Sequence, residues 1–244
     1  MDETCGLCLQ DRPLVKSHII PKSLLFLGEP TNRPLVVLSS DAPGNVRRTP
    51  AGEWSRIVCG DCERSFHGDD ECLLAFVRAL PLAPVPHPGA TDISGFDLIK
   101  LRRAFVSVLF RAHLSKRAMF NKVDLGRRHG ESLRRFLTAE EDQFPAAYSV
   151  YLRHIPSDIG RGVFSPFNER WNGVNAYRVY VPNVSAMIRV DQRPMPHPWP
   201  RFALVSGDLP FAMRSDRLTR GESEVAAKFI DDATAEKVAR ILGA

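Results

Sequence analysis

Apolar and polar positions change period several times along the chain, and each change predicts a different element. Between Phe96 and about Ala118, the residues Leu98, Leu101, Phe105, Val108 and Ala112 recur at three- and four-residue spacing, which predicts an amphipathic helix of several turns. Leu109 and Phe110 widen its apolar side, and a second helix is predicted from Gly130 to about Leu137. After Pro145 the pattern shortens. YSVYLRHI, NAYRVYVP, SAMIRV and FALVSG are β-branched and aromatic runs separated by Pro, Gly and Asn, the texture of antiparallel strands. The chain ends on ATAEKVARILG, read as a short helix closed by Gly243. In the first third, Leu14 to Ile20 and PLVVLSS at 34 to 40 read as strands, and Cys59 to about Leu80 as helix broken near Gly68. DAPGNVRRTPAGEWS reads as a loop.

The run PLAPVPHPG, with Pro81, Pro84, Pro86 and Pro88, cannot continue a helix or a central strand. It divides the expected α+β chain into residues 1–90 and 91–244. The second part comprises a helical region over 96–144, then strands and a final helix over 147–244. With 44% hydrophobic and 25% charged residues the composition is that of a globular protein, and no apolar run is long enough for a membrane span. MDETCGLC lacks the basic and then apolar order of a secretory leader, so a cytoplasmic location is expected. The net charge of +5 favours polyanionic partners.

Four of the five cysteines form two Cys-x-x-Cys pairs, Cys5 with Cys8 and Cys59 with Cys62. Four thiolates at that spacing close a tetrahedral structural zinc site and leave no open position on the ion. The bland alternative is chance spacing of buried or redox cysteines. Cys72, in the helical run CLLAFVRAL, is expected to pack as a small apolar residue.

Between the pairs lies Ser17-His18-Ile19-Ile20-Pro21, and the second pair opens onto Cys62-Glu63-x-x-x-His67-x-x-x-Glu71. With these motifs the first third of the chain resembles the HNH nucleases, the ββα-metal family, in their zinc-containing treble-clef form. More narrowly, and as far as about Leu137, the sequence is similar to a group of bacterial HNH-like proteins that share SHIIPK, CE and an LWR-like helix, here LFR at 109–111.

The resemblance implies that His18 is the general base that takes a proton from the attacking water. Its ordinary pKa near 6.5 suits that work. The position before the histidine, usually an Asp or His that binds a divalent ion, holds Ser17, a poor ligand. Glu63, after the last cysteine, would supply an oxygen to Mg2+ or Mn2+. On an unbroken helix Glu63, His67 and Glu71 would share one face and converge on a single ion; alternatively they are helix-terminal or solvated charges. The alternative for His18 is a strand-end histidine bonded to backbone.

The implied reaction is phosphodiester hydrolysis in nucleic acid, DNA foremost, with Lys16, Lys22, Arg47, Arg48, Arg56 and Arg64 available to hold the backbone. The helical region adds eleven cations between Lys100 and Arg135 against Asp97, Asp124 and Glu131, and leans toward a phosphate-tracking surface. Arg111, between Phe110 and Ala112, is expected to be paired structurally. Trp54, Trp171 and Trp199 could stack on bases or anchor core and loops. The rival function is a treble-clef module that binds nucleic acid or a protein and cleaves nothing, Ser17 marking a lost metal site. In a third reading the C-terminal α+β part senses a ligand and the zinc domain is its scaffold. HNH proteins often act as pairs on duplexes, so a homodimer fits the resemblance, although nothing in the sequence fixes oligomeric state.

Overall fold

A computed structural model describes residues 3–25, 27, 35–38, 46–49, 52–80, 90–139, 148–155, 165–204 and 211–214. The fold is mixed helix and sheet, with four separate sheets among the described residues. A small hairpin of β1 (Glu3–Thr4) and β2 (Asp11–Arg12) carries the first cysteine pair. Next, β3 (Leu14–His18) pairs antiparallel with β6 (Trp54–Cys59), and β4 (Leu35–Leu38) pairs with β5 (Val46–Thr49). The short α1 (Lys22–Leu25) follows β3, while α2 (Gly60–Ser65) and α3 (His67–Ala79) follow β6.

The long helix α4 (Leu98–Leu114) is capped by Asp97, whose Oδ1 accepts from Ile99 N at 3.1 Å and Lys100 N at 3.0 Å. Its side chains from Leu101 to Ala112 are buried on nearly every side, because the helix is wedged between α3, α5 (Gly126–Thr138) and the large sheet. That sheet runs in the order β7 (Ala90–Asp92), β12 (Phe211–Arg214), β8 (Val150–His154), β11 (Val184–Arg189), β10 (Val174–Val181), β9 (Phe167–Trp171). Its pairs are antiparallel apart from β12 with β8.

The helix break expected near Gly68 falls at Phe66, two residues earlier. Phe66 is buried, and its ring lies 4.9 Å beneath the Arg111 guanidinium, so packing rather than glycine freedom fixes the bend. Asp69, in the first turn of α3, pairs with Arg103 of α4 at 3.1 Å. The strand expected at FALVSG is replaced at Phe202 by the end of a 3-10 turn over Trp199–Phe202. The Pro-rich run 81–89, residues 41–45, 50 and 51 of the expected loop, residues 205–207 of that strand and the terminal helix at 233–243 lie outside the described residues. One buried apolar cluster is continuous across residue 90, joining Leu7, Phe76, Phe105 and Val179. Cys72 packs against it, half-buried.

Candidate functional site

The two cysteine pairs are brought together by backbone pairing. Gly6 N donates to Ile57 O at 2.9 Å and Cys59 N donates to Cys5 Sγ at 3.2 Å, stitching the first knuckle to the end of β6. A side chain at Gly6 would stand 3.0 Å from Ile57 O and 2.6 Å from Leu114 Cδ1, so any larger residue must push the Leu114 tip aside and press on that carbonyl. The four sulfurs of Cys5, Cys8, Cys59 and Cys62 lie within 4.8 Å of one another, with Cys8 and Cys59 3.9 Å apart. Tetrahedral Zn–S bonds of ~2.3 Å imply sulfur separations of about 3.8 Å, so the thiols are spaced to hold such an ion.

The charges fit as well. Burial opposes the Cys5 thiolate, yet main-chain N–H groups of Cys8, Cys59 and Leu7 outweigh it and bring the pKa down to about 7. Burial and the neighbouring sulfurs push Cys62 far up, and burial raises Cys8. Four crowded thiols cannot all ionise without a cation among them.

Beside this cluster, β3 ends and α2 begins. His18 is the last residue of β3, half-buried, with Trp54 opposite it in register. Its carbonyl accepts 2.8 Å from Arg111 Nη1. Arg111 is itself buried and forks onto Asp70 at 2.7 and 3.1 Å, with further bonds to Ser107. Arg111 was expected to be structurally paired, and it is. Asp70 was the residue missed, because a run of acids after a glycine reads as helix capping.

Glu63 stands in the first turn of α2 with Oε2 buried and without a hydrogen-bond partner. Ser17, fully buried, faces it, and its Oγ also completes no hydrogen bond of good geometry. Burial raises the pKa of Glu63, while Ser17 and Arg111 pull it back and Asp70 pushes it up. Two orphaned oxygens thus adjoin one buried guanidinium and a second carboxylate. An unfilled polar pair of this kind suits a hard cation that keeps most of its waters.

The other candidates separate. His67 Nε2 meets Glu71 Oε1 at 3.1 Å on an exposed face of α3, and the bend at Phe66 divides both from Glu63 of α2. Among the described residues, the four cysteines form the only set of three or more His, Cys, Asp or Glu side chains close enough to share an ion.

Lys16 is exposed with Nζ 4.7 Å from the Trp54 ring centroid, and Lys22 is exposed on α1. Arg64 pairs with Asp61, which also holds Arg12. Arg56 is exposed opposite Lys16. Arg47 and Arg48 lie in β5, and their side chains are outside the described set.

In the helical stretch, Arg103 closes the end of α5 by donating to Phe136 O, Leu137 O and Ala139 O, and Arg134 bonds Glu131 and Leu7 O. Part of the basic excess therefore cements the fold. Lys116, Arg117, Lys122, Arg127, Arg128 and Arg135 remain on the surface. Trp171 and Trp199 join an aromatic cluster with Tyr151 and Phe202, and so act as anchors.

No helix among the described residues is long and apolar enough to cross a membrane. Comparison with family models, with curated proteins and with solved structures found no match for the chain.

Proposed function

We propose that the chain is a zinc-stabilised nuclease of the HNH type, hydrolysing phosphodiester bonds in nucleic acid, DNA foremost. Cys5, Cys8, Cys59 and Cys62 would hold a structural zinc ion, and this ββα arrangement would mount His18 beside the substrate. The observation that carries the reading is the buried Oε2 of Glu63, which completes no hydrogen bond, on the residue that directly follows the cysteine frame and faces Ser17, the chain neighbour of His18. Glu63, assisted by Ser17, would hold Mg2+ or Mn2+, which when bound stabilises negative charge developing on the phosphate and its leaving oxygen.

The chain's own residues do the rest. His18 in its neutral form accepts the proton of the attacking water, for which its imidazole needs an open face and a fixed position. Arg111 supplies the fixed position by binding the His18 carbonyl while anchored to Asp70. Exposed cations beside β3 hold the phosphate backbone without reading bases. A plasmid nicking assay with Mg2+, with Mn2+ and with neither tests the reading. Divalent-dependent nicking supports it, and no cleavage under any condition would sink it.

One observation favours a second reading. With no second multidentate set among the described residues, the module would bind nucleic acid without cutting, and the wild-type chain would then bind in a salt-sensitive way but nick under no divalent condition.

A further inference from the structure

We infer that Lys16 and Arg117, both mounted on the ring of Trp54, form a phosphate-gripping pair on the outer face of the β3–β6 sheet. This rests on the reading that the protein meets nucleic acid, and it names the surface that does so.

The register puts the relevant side chains on one face. His18 stands opposite Trp54 and Lys16 opposite Arg56, and alternate positions of paired strands share a side. The intervening Ser17 and Ser55 therefore face the other way, and Ser17 is fully buried. Arg117 reaches this outer face from the segment that follows α4. Ser115, which ends α4, meets Ser55 Oγ at 3.1 Å through its own Oγ, and the same oxygen accepts from Arg117 N at 3.2 Å. Arg117 Nε then donates to Trp54 O at 2.9 Å, holding its Cζ 5.1 Å from the ring centroid. Lys16 Nζ lies 4.7 Å from the same centroid.

The shared Trp54 ring distinguishes this pair from the other exposed cations, and charge pairing separates it from part of the basic surface. Arg12 and Arg64 share Asp61, and Arg134 and Arg135 share Glu131. Among the described residues no carboxylate pairs with Lys16 or Arg117, and neither Nη of Arg117 has a protein partner. Both cations are thus pre-positioned by an aromatic surface and left without counter-charge, one register step from His18. Pre-positioning lowers the entropy lost on binding, and a duplex strand, with one phosphate per ~3.4 Å of helix axis, offers neighbouring anions to the pair.

The test is binding of short fluorescein-labelled DNA, single-stranded and duplex, and of RNA of the same sequence, to the full chain in divalent-free buffer across a salt series. Lys16→Gln and Arg117→Gln should each weaken binding about eightfold at 0.1 M salt and flatten the slope of log affinity on log salt by about 0.9 on duplex. Arg117→Lys should recover most of the slope. Arg193→Gln, which removes an exposed cation already paired with Asp191, should change neither. Zinc content and thermal midpoint are measured on every variant, and Lys16→Gln, with no hydrogen bond to lose, keeps the test open if Arg117→Gln unfolds.

Two results would overturn the inference: variants no weaker than Arg193→Gln, or a wild-type chain that binds none of the three probes. Cleavage that persists in variants with unaltered binding would sink this surface and leave the hydrolytic reading standing. Salt-sensitive binding without cleavage would do the reverse.

Discussion

Arg111 Nη1 donates to the carbonyl of His18 at 2.8 Å, bridging two residues 93 positions apart. The same guanidinium binds Asp70 through both carboxylate oxygens and is only 1% exposed. The end of β3, the start of α3 and the last turn of α4 are therefore tied at one point. Removing one partner of such a pair leaves a buried charge or acceptor unmatched. Arg111→Met is expected to cost about 3–5 kcal/mol in urea unfolding. The double variant with Asp70→Asn should be much less destabilised than the sum of the singles, a coupling that additive losses would disprove.

Metal removal should act on the whole N-terminal part. The thiol cluster joins the β1–β2 hairpin to the end of β6, and the buried cluster containing Cys5, Cys59 and Cys62 continues into α4. Exhaustive chelation, or Cys59→Ser, is expected to lower the thermal midpoint and the far-UV helical signal, with metal analysis showing one zinc lost per chain. An unchanged melting curve after verified metal loss would contradict a structural role.

Gly6→Ala probes the close approach at the first knuckle. The added methyl would meet the Ile57 carbonyl, which cannot move without disturbing β6, and the tip of Leu114. Overpacking of this kind costs about 1–3 kcal/mol. Thermal unfolding should register it together with weaker zinc retention, and a neutral variant would show that β6 yields.

A pH effect follows from His129, whose Nδ1 lies 2.9 Å from Tyr148 Oη. Burial, helped by Arg128, lowers its pKa below the ordinary 6.5, so the folded state favours the neutral ring. The unfolded chain then binds more protons just below pH 6.5. Stability from this group is complete above that pH and is lost as pH falls through the depressed folded value. Urea unfolding of wild type and His129→Gln across pH 5 to 7.5 should show a smaller acid loss in the variant. Parallel pH curves would refute the assignment.

What could be read from the sequence was local. The three-and-four spacing through Leu101, Phe105 and Val108 marked α4, and β-branched runs marked β8, β10 and β11. The cysteine frame was legible because ligand spacing is itself a local pattern. Strand β5 was read as loop, since VRRT becomes a strand only by pairing with LVVL. Edge strand β9 was missed because FNERW, exposed at alternate positions, looks like a polar turn. In the site, His18 and Glu63 stood out by their positions beside the cysteine motifs. The Asp70–Arg111 bond, across 41 residues, depended on how α3 packs on α4, and on a bend set by burial of Phe66 rather than by Gly68.

The proposed chemistry stands or falls with the His18 imidazole. The most direct measurement compares plasmid nicking by wild type and His18→Ala at matched zinc content and melting temperature, with Mg2+ or Mn2+ supplied. The account predicts divalent-dependent nicking that falls about 100-fold or more in the variant while nucleic-acid binding is retained. Equal rates in the two proteins, or no nicking by either, would contradict it.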